Sequence, residues 1–148
     1  MQESSLRSNI HWIDGTKAPC RGTILLVEDY QPNILVATIT LENLGFSVES
    51  VSSGLHALEK VKACKIPYTA ILMDIRLYDM DGLETTRLIR ALEKDKSFRQ
   101  PIFGMTAHAL SSDHSKCLEA GMDDYLSKPV NFEILARKLS GLHEGHHI

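Results

Sequence analysis

Four short strand-like runs in this 148-residue chain each deliver a reactive side chain at their carboxyl end. T-I-L-L-V is followed by Glu28 and Asp29, A-I-L-M by Asp74, I-F-G-M by Thr106, and D-Y-L-S by Lys128 and Pro129. Taken alone, an Asp at such a place is most simply the start of a turn. Brought together, three carboxylates and one lysine are a different matter, because like charges a few ångströms apart raise each other's pKa. A hard divalent cation relieves that crowding, and an all-oxygen ligand set suits Mg²⁺, which shares its shell readily with water and phosphate. With such a cation counted, the charges balance, and a carboxylate oxygen becomes a nucleophile that an incoming phosphoryl group can approach. Phosphoryl transfer asks mainly for position and for neutralisation of the equatorial oxygens, roles open to the cation, Lys128, Thr106 and backbone N–H groups.

Whether these residues meet depends on the elements between them. Thr23 begins an apolar run ending in the acidic pair, and Gln31–Asn43 follows as a helix with Ile34, Leu35, Thr38, Leu41 and Leu44 at three- and four-residue spacing, closed by Gly45. Phe46–Val51 alternates as a second strand, and Ser52-Ser53-Gly54 leads into a helix carrying Leu55, Leu58 and Val61. Pro67 precedes the wholly apolar strand Ala70–Asp74. Gly82–Leu92 reads as a helix, Asp95–Gln100 as a polar loop, and I-F-G-M-T after Pro101 as a fourth strand. A helix over Ala107–Ala120, with Ala109, Leu110, Cys117 and Leu118 facing in, is closed by Gly121. Asp124–Ser127 is a fifth strand, and Asn131 caps a last helix through Leu139 or Leu142. Five β-α pairs in succession predict one α/β domain, a parallel sheet with helices on both faces. In such a sheet every strand's carboxyl end opens on one edge, so residues 28, 29, 74, 106 and 128 can converge.

Composition narrows the function classes. A chain with 43% apolar and 24% charged residues is globular, and a net charge of −3 gives no general pull toward nucleic acid or an anionic membrane. Cys20, Cys64 and Cys117 are far apart, which suggests neither a disulfide framework nor a cysteine zinc site. The first residues lack the apolar run of a secretory signal and nothing approaches a membrane span, so a reducing cytoplasm is the expected location. Met1–Gly22 shows neither helical nor strand period and is expected to be a linker or N-terminal extension to a domain over residues 23–142, with a polar tail over 143–148.

L-L-V-E-D, I-L-M-D-I-R-L-Y-D-M-D-G, M-T-A and Y-L-S-K-P, in this order and spacing, resemble the receiver domain of two-component response regulators and hybrid histidine kinases. The resemblance covers about residues 23–142. It implies a flavodoxin-like (βα)5 fold with strand order 2-1-3-4-5. It further implies that Asp74 is the phosphoacceptor and that Asp29, Asp74 and the backbone carbonyl of Arg76 bind Mg²⁺, with Glu28 reaching the metal directly or through water. Lys128 would bind a phosphoryl oxygen and precede a cis peptide at Pro129. Thr106 would close on the phosphoryl group, and Tyr125 would be the aromatic that changes rotamer with it. The implied partner is a histidine kinase or a histidine phosphotransfer protein. The wording P-I-F-G-M-T-A-H-A with C-L-E-A-G-M-D-D-Y-L-S-K-P looks most like receivers of hybrid sensor kinases, a stand-alone regulator or a receiver kept as a docking module being the alternatives.

Two departures stand out: Leu77-Tyr78 replaces a frequent Met-Pro, which frees a backbone φ, and Tyr30 follows the acidic pair where polar residues are frequent. Arg76 and His108, two places beyond Asp74 and Thr106, are expected to flank the mouth of the site. Two competing classes fit less well. A flavodoxin-like nucleotide binder needs a glycine- or hydroxyl-rich phosphate loop where this chain has E-D-Y-Q-P, and a haloacid-dehalogenase-type phosphatase needs a second Asp where Arg76 stands. His143, His146 and His147 could bind a metal but read more simply as a polar terminus. Asp79 and Asp81 read as solvated or helix-capping.

Overall fold

The computed structural model describes residues 10–13, 16–19, 22–107 and 111–145, with side chains over 22–107 and 113–140. Its elements are β1 (Ile10–Ile13), β2 (Thr16–Pro19), β3 (Thr23–Val27), α1 (Gln31–Asn43), β4 (Ser47–Val51), α2 (Gly54–Ala63), β5 (Ala70–Asp74), α3 (Gly82–Glu93), β6 (Ile102–Thr106), α4 (Ser111–Ala120), β7 (Asp124–Ser127) and α5 (Phe132–Gly145). β3 to β7 form one parallel sheet in the order β4-β3-β5-β6-β7, which among these five is 2-1-3-4-5. β1 and β2 pair antiparallel in a sheet of their own, inside the segment that shows no strand period in sequence.

The strands follow from their side chains. Every residue of β5 and β6 is buried, as central parallel strands covered on both faces require, whereas the edge strand β4 leaves Glu49 and Ser50 exposed. One face of the sheet (Ile24, Leu26, Leu72, Phe103) packs against Ala37 and Leu41 of α1 and Leu135 and Leu139 of α5. The other (Leu25, Val27, Ile71, Met73) packs against α2, α3 and α4 through Ala57, Val61, Ile89 and Cys117.

Helix ends are set by local chemistry. Ser53 accepts from the His56 N–H, Asp81 from Glu84, and Asn131 from Glu133 and Ile134, so each side-chain oxygen takes up amides that the first helical turn leaves unpaired. After α1 the chain reverses at Gly45, whose φ of +101° a side chain would strain.

Several expected faces differ. Leu35 and Leu55 are 61% and 57% exposed, and the residues that face the sheet are Ala37 and Leu41 on α1 and Ala57 and Val61 on α2. Leu118 is also exposed, while Cys117 and Ala120 turn inward. Ala107, the expected start of the fourth helix, is a bend, and α4 is described over Ser111–Ala120; His108, Ala109 and Leu110 lie outside the described residues. The last helix continues past Leu142 to Gly145. Among the described residues no helix is long and apolar enough to cross a membrane.

Candidate functional site

β3, β5, β6 and β7 all end at one edge of the sheet, and the topology puts β3 and β6 on either side of β5. Glu28 and Asp29 lie just past β3, Asp74 is the last residue of β5, Thr106 ends β6, and Lys128 follows β7. One carboxylate oxygen from each of Glu28, Asp29 and Asp74 lies within 4.8 Å of the other two. The Lys128 ammonium reaches into this group, 3.1 Å from Asp74 Oδ2 and 3.5 Å from Glu28 Oε1. The Lys128–Pro129 peptide is cis.

Burial divides the acids. Glu28 and Asp74 are buried, at 3% and 4% exposure, while Asp29 is open to solvent at the mouth. Alternation explains this: Val27 joins the α2–α4 face, so the next side chain turns inward toward α1 and α5. Glu28 accepts from the Tyr30 N–H at 3.1 Å and from Asn33 Nδ2 at 3.4 Å. Burial first, and the neighbouring Asp74 charge second, push its carboxyl above the ordinary value of 4.5, against the pull of the Tyr30 amide and Lys128. Three acids facing one ammonium form a site whose oxygens, spacing and unbalanced charge fit a hard divalent cation.

Of the remaining predicted residues, Arg76 and Thr106 lie beside this group. The Arg76 N–H donates to Asp74 Oδ1 at 3.1 Å, and its side chain is exposed. Register pairs Asp74 with Met105, which puts the buried Thr106 one step further along the neighbouring strand. The Lys128 N–H donates to the Thr106 carbonyl at 2.7 Å and ties the last two strand ends together. Tyr125 is half-buried, three residues before Lys128, its ring against that of His114 of α4 with centroids 4.6 Å apart. His108, His146 and His147 lie outside the described residues, as does the side chain of His143. Asp79 and Asp81 both cap helices: Asp81 caps α3 locally, and Asp79 reaches across to the amides of Gly54 and Leu55. The reach of Asp79 and the His114–Tyr125 contact have no signature in sequence, since each joins elements that only folding brings together.

The response regulator receiver domain family model matches residues 24–140. This chain belongs to the response regulator receiver family. The receiver domain of a sensor histidine kinase from Pseudomonas aeruginosa, solved with a magnesium ion coordinated in its active-site cleft, is 44% identical, with a TM-score of 0.70 over 80% of this chain and 93% of that one. The receiver domain of an Arabidopsis thaliana histidine kinase, complexed with Mg²⁺ and BeF3⁻, is 32% identical with a TM-score of 0.74, covering 82% of this chain and 91% of that one. Hybrid signal transduction histidine kinase L of Dictyostelium discoideum is 41% identical over 113 residues, covering 74% of this chain and 6% of the kinase. The chain spans 6% to 14% of the length of the first curated relatives it matches. Its fold is the flavodoxin-like receiver fold of these domains, and it is homologous to receivers of hybrid histidine kinases.

Proposed function

We propose that this receiver takes a phosphoryl group from a phosphohistidine onto Asp74, in a Mg²⁺-dependent step of a two-component phosphorelay. The observation that carries the reading is the convergence of a buried Asp74 with two further carboxylates and with Lys128 Nζ at 3.1 Å. An Asp74 carboxylate oxygen attacks phosphorus, the P–N bond to the donor imidazole breaks, and the electron pair returns to the ring, which takes up a proton. Lys128 holds a phosphoryl oxygen, and the Thr106 hydroxyl takes another at the adjacent strand end. Glu28, Asp29, Asp74 and the Arg76 carbonyl would hold the metal. When bound, Mg²⁺ neutralises charge on the phosphoryl oxygens.

Occupation of Asp74 shifts a pre-existing equilibrium in which Thr106 and Tyr125 move inward and the surface of α4, β7 and α5 changes for a protein partner. Residues 23–142 are the receiver unit, the donor is a histidine kinase or histidine phosphotransfer protein, and the parent is a hybrid sensor kinase acting at the cytoplasmic side. Incubation with a phosphorylated histidine donor, read by intact mass, tests this. One phosphoryl group should appear on the parent chain with Mg²⁺ and none in chelator, and an Asp74→Asn variant that is still labelled removes the assignment.

A further inference from the structure

Asp79 sits in the loop between β5 and α3, whose inner limb packs against the core through Ile75 and Leu77. Leu77-Tyr78 constrains no φ, and Tyr78, 92% exposed, adds no packing. The loop is closed at its base, where the Gly82 N–H donates to the Ile75 carbonyl at 2.7 Å and the Arg76 N–H to Asp74 Oδ1. Its outer limb is held differently. Asp79 Oδ1 accepts from the Gly54 N–H at 2.9 Å and Oδ2 from the Leu55 N–H at 3.1 Å. These are the first two amides of α2; the third, from His56, goes to Ser53. A helix start that is normally capped by its own preceding residues is here shared with a loop 25 positions away.

A second contact supports the first. A methyl group on Gly54 would lie 3.5 Å from the Met80 carbonyl and 2.4 Å from Thr85 Oγ1, so the missing side chain lets the loop and α3 approach α2. What burial Asp79 has opposes its charge, yet the amides of Gly54 and Leu55, then those of its own loop, hold its carboxyl below the usual range.

β4 and β5 flank β3. The bridge therefore joins the loop that leaves β5 to the start of the helix that follows β4, the two strands on either side of β3 with its Glu28 and Asp29, and it anchors the segment whose residue 76 carbonyl faces the metal in the phosphoacceptor reading, on which this inference rests. We infer that Asp79 is a positioning residue for the divalent cation: by tying the β5–α3 loop to α2 it holds the Arg76 carbonyl in place and replaces the rigidity a proline would give.

Coupling of this kind is reciprocal. Mg²⁺ should slow hydrogen exchange at the Gly54 and Leu55 amides, and Asp79→Ala should weaken Mg²⁺ by about fivefold, the low end of ordinary coupling between sites. The test is a Mg²⁺ titration followed by amide NMR on the parent, Asp79→Ala, Asp79→Asn and Ser53→Ala. Asp79→Asn keeps one acceptor and should recover most of the affinity. Ser53→Ala removes a cap from the same helix end without touching the loop and should bind Mg²⁺ as the parent does. Unchanged affinity in Asp79→Ala, or an equal loss in Ser53→Ala, overturns the inference while leaving the phosphoacceptor reading intact. Absence of Mg²⁺ binding by the parent overturns both.

Discussion

Glu28→Gln should make the Mg²⁺-free protein more stable at neutral pH, although it alters a buried residue of the site. At an effective dielectric of about 20, the repulsion between Glu28 and Asp74, whose oxygens lie within 4.8 Å, is at least about 3.5 kcal/mol. The attraction to Lys128 Nζ at 3.5 Å is about 4.7 kcal/mol on the same scale. These nearly cancel, and the cost of burying a carboxylate at 3% exposure remains, together with a screened repulsion from Asp29. Glutamine keeps the shape and an acceptor for the Tyr30 N–H but not the charge, so we expect a gain of about 1–2 kcal/mol. That corresponds to a melting point higher by about 3–6 °C for a domain of this size. The pH dependence has a definite sign. Because the folded-state pKa of Glu28 lies above 4.5, its contribution is fully present below 4.5 and is lost as pH rises through the folded value; glutamine removes this decline. Thermal melts in chelator from pH 4 to 8 read both effects. With Mg²⁺ at about 100 times its dissociation constant the parent should gain about 2.7 kcal/mol and the variant less, closing or reversing the gap. A variant that melts lower than the parent in chelator at neutral pH, or two parallel pH profiles, would refute the charge-crowding argument.

Lys128→Met removes the ammonium 3.1 Å from Asp74 and should slow phosphorylation by about 100-fold while leaving Mg²⁺ affinity equal or tighter, as single-turnover kinetics and a metal titration would show. Gly82→Ala brings a Cβ to 2.3 Å from the Asp74 carbonyl oxygen, so the loop must move; phosphorylation should drop by at least about tenfold, with a stability loss of about 1–3 kcal/mol in denaturant melts. Arg90→Met at the opposite edge breaks bonds to the Gly121 and Gln100 carbonyls, Glu93 and Asp123, and should cost about 2–4 kcal/mol with the Mg²⁺ dissociation constant unchanged. Arg76→Ala should speed loss of the phosphoryl group if the exposed guanidinium hinders the hydrolytic water; an unchanged dephosphorylation rate removes that role.

The boundaries of α1, β5 and β7 are legible in sequence because glycine, proline or polar residues stand at or near their ends. Which side of α1 faces inward is not. Ile34, Leu35, Val36, Ala37, Ile39 and Leu41 surround the helix, and no period separates the buried Ala37 from the exposed Leu35. On α2 the larger side chain loses: Gly54 and Ala57 let the helix approach the sheet and α3 closely, which leaves Leu55 outside. The strand-end residues are legible for a topological reason, since a parallel sheet gathers every carboxyl end at one edge whatever lies between them. The bridge from Asp79 to α2 has no such rule behind it, because a loop carboxylate meeting two amides 25 positions away leaves no spacing to read.

The two edges of the sheet use the same polar chemistry to opposite ends. At the amino edge the Arg90 guanidinium is bonded through Nε and both terminal nitrogens, and Arg99 joins it on Asp123, so cations and anions match and α3, β6 and the α4–β7 turn are locked together. At the carboxyl edge three carboxylates crowd together and the one lysine ammonium reaches two of them, Asp74 and Glu28, a cost offset by the bonds of the other edge and by the two apolar layers. A site balanced in charge without metal would bind a cation no better than water does. One held together by the rest of the fold despite its excess negative charge gains the most when a divalent ion arrives, and in the phosphoacceptor reading the same ion would then offset the charge of an incoming phosphoryl group.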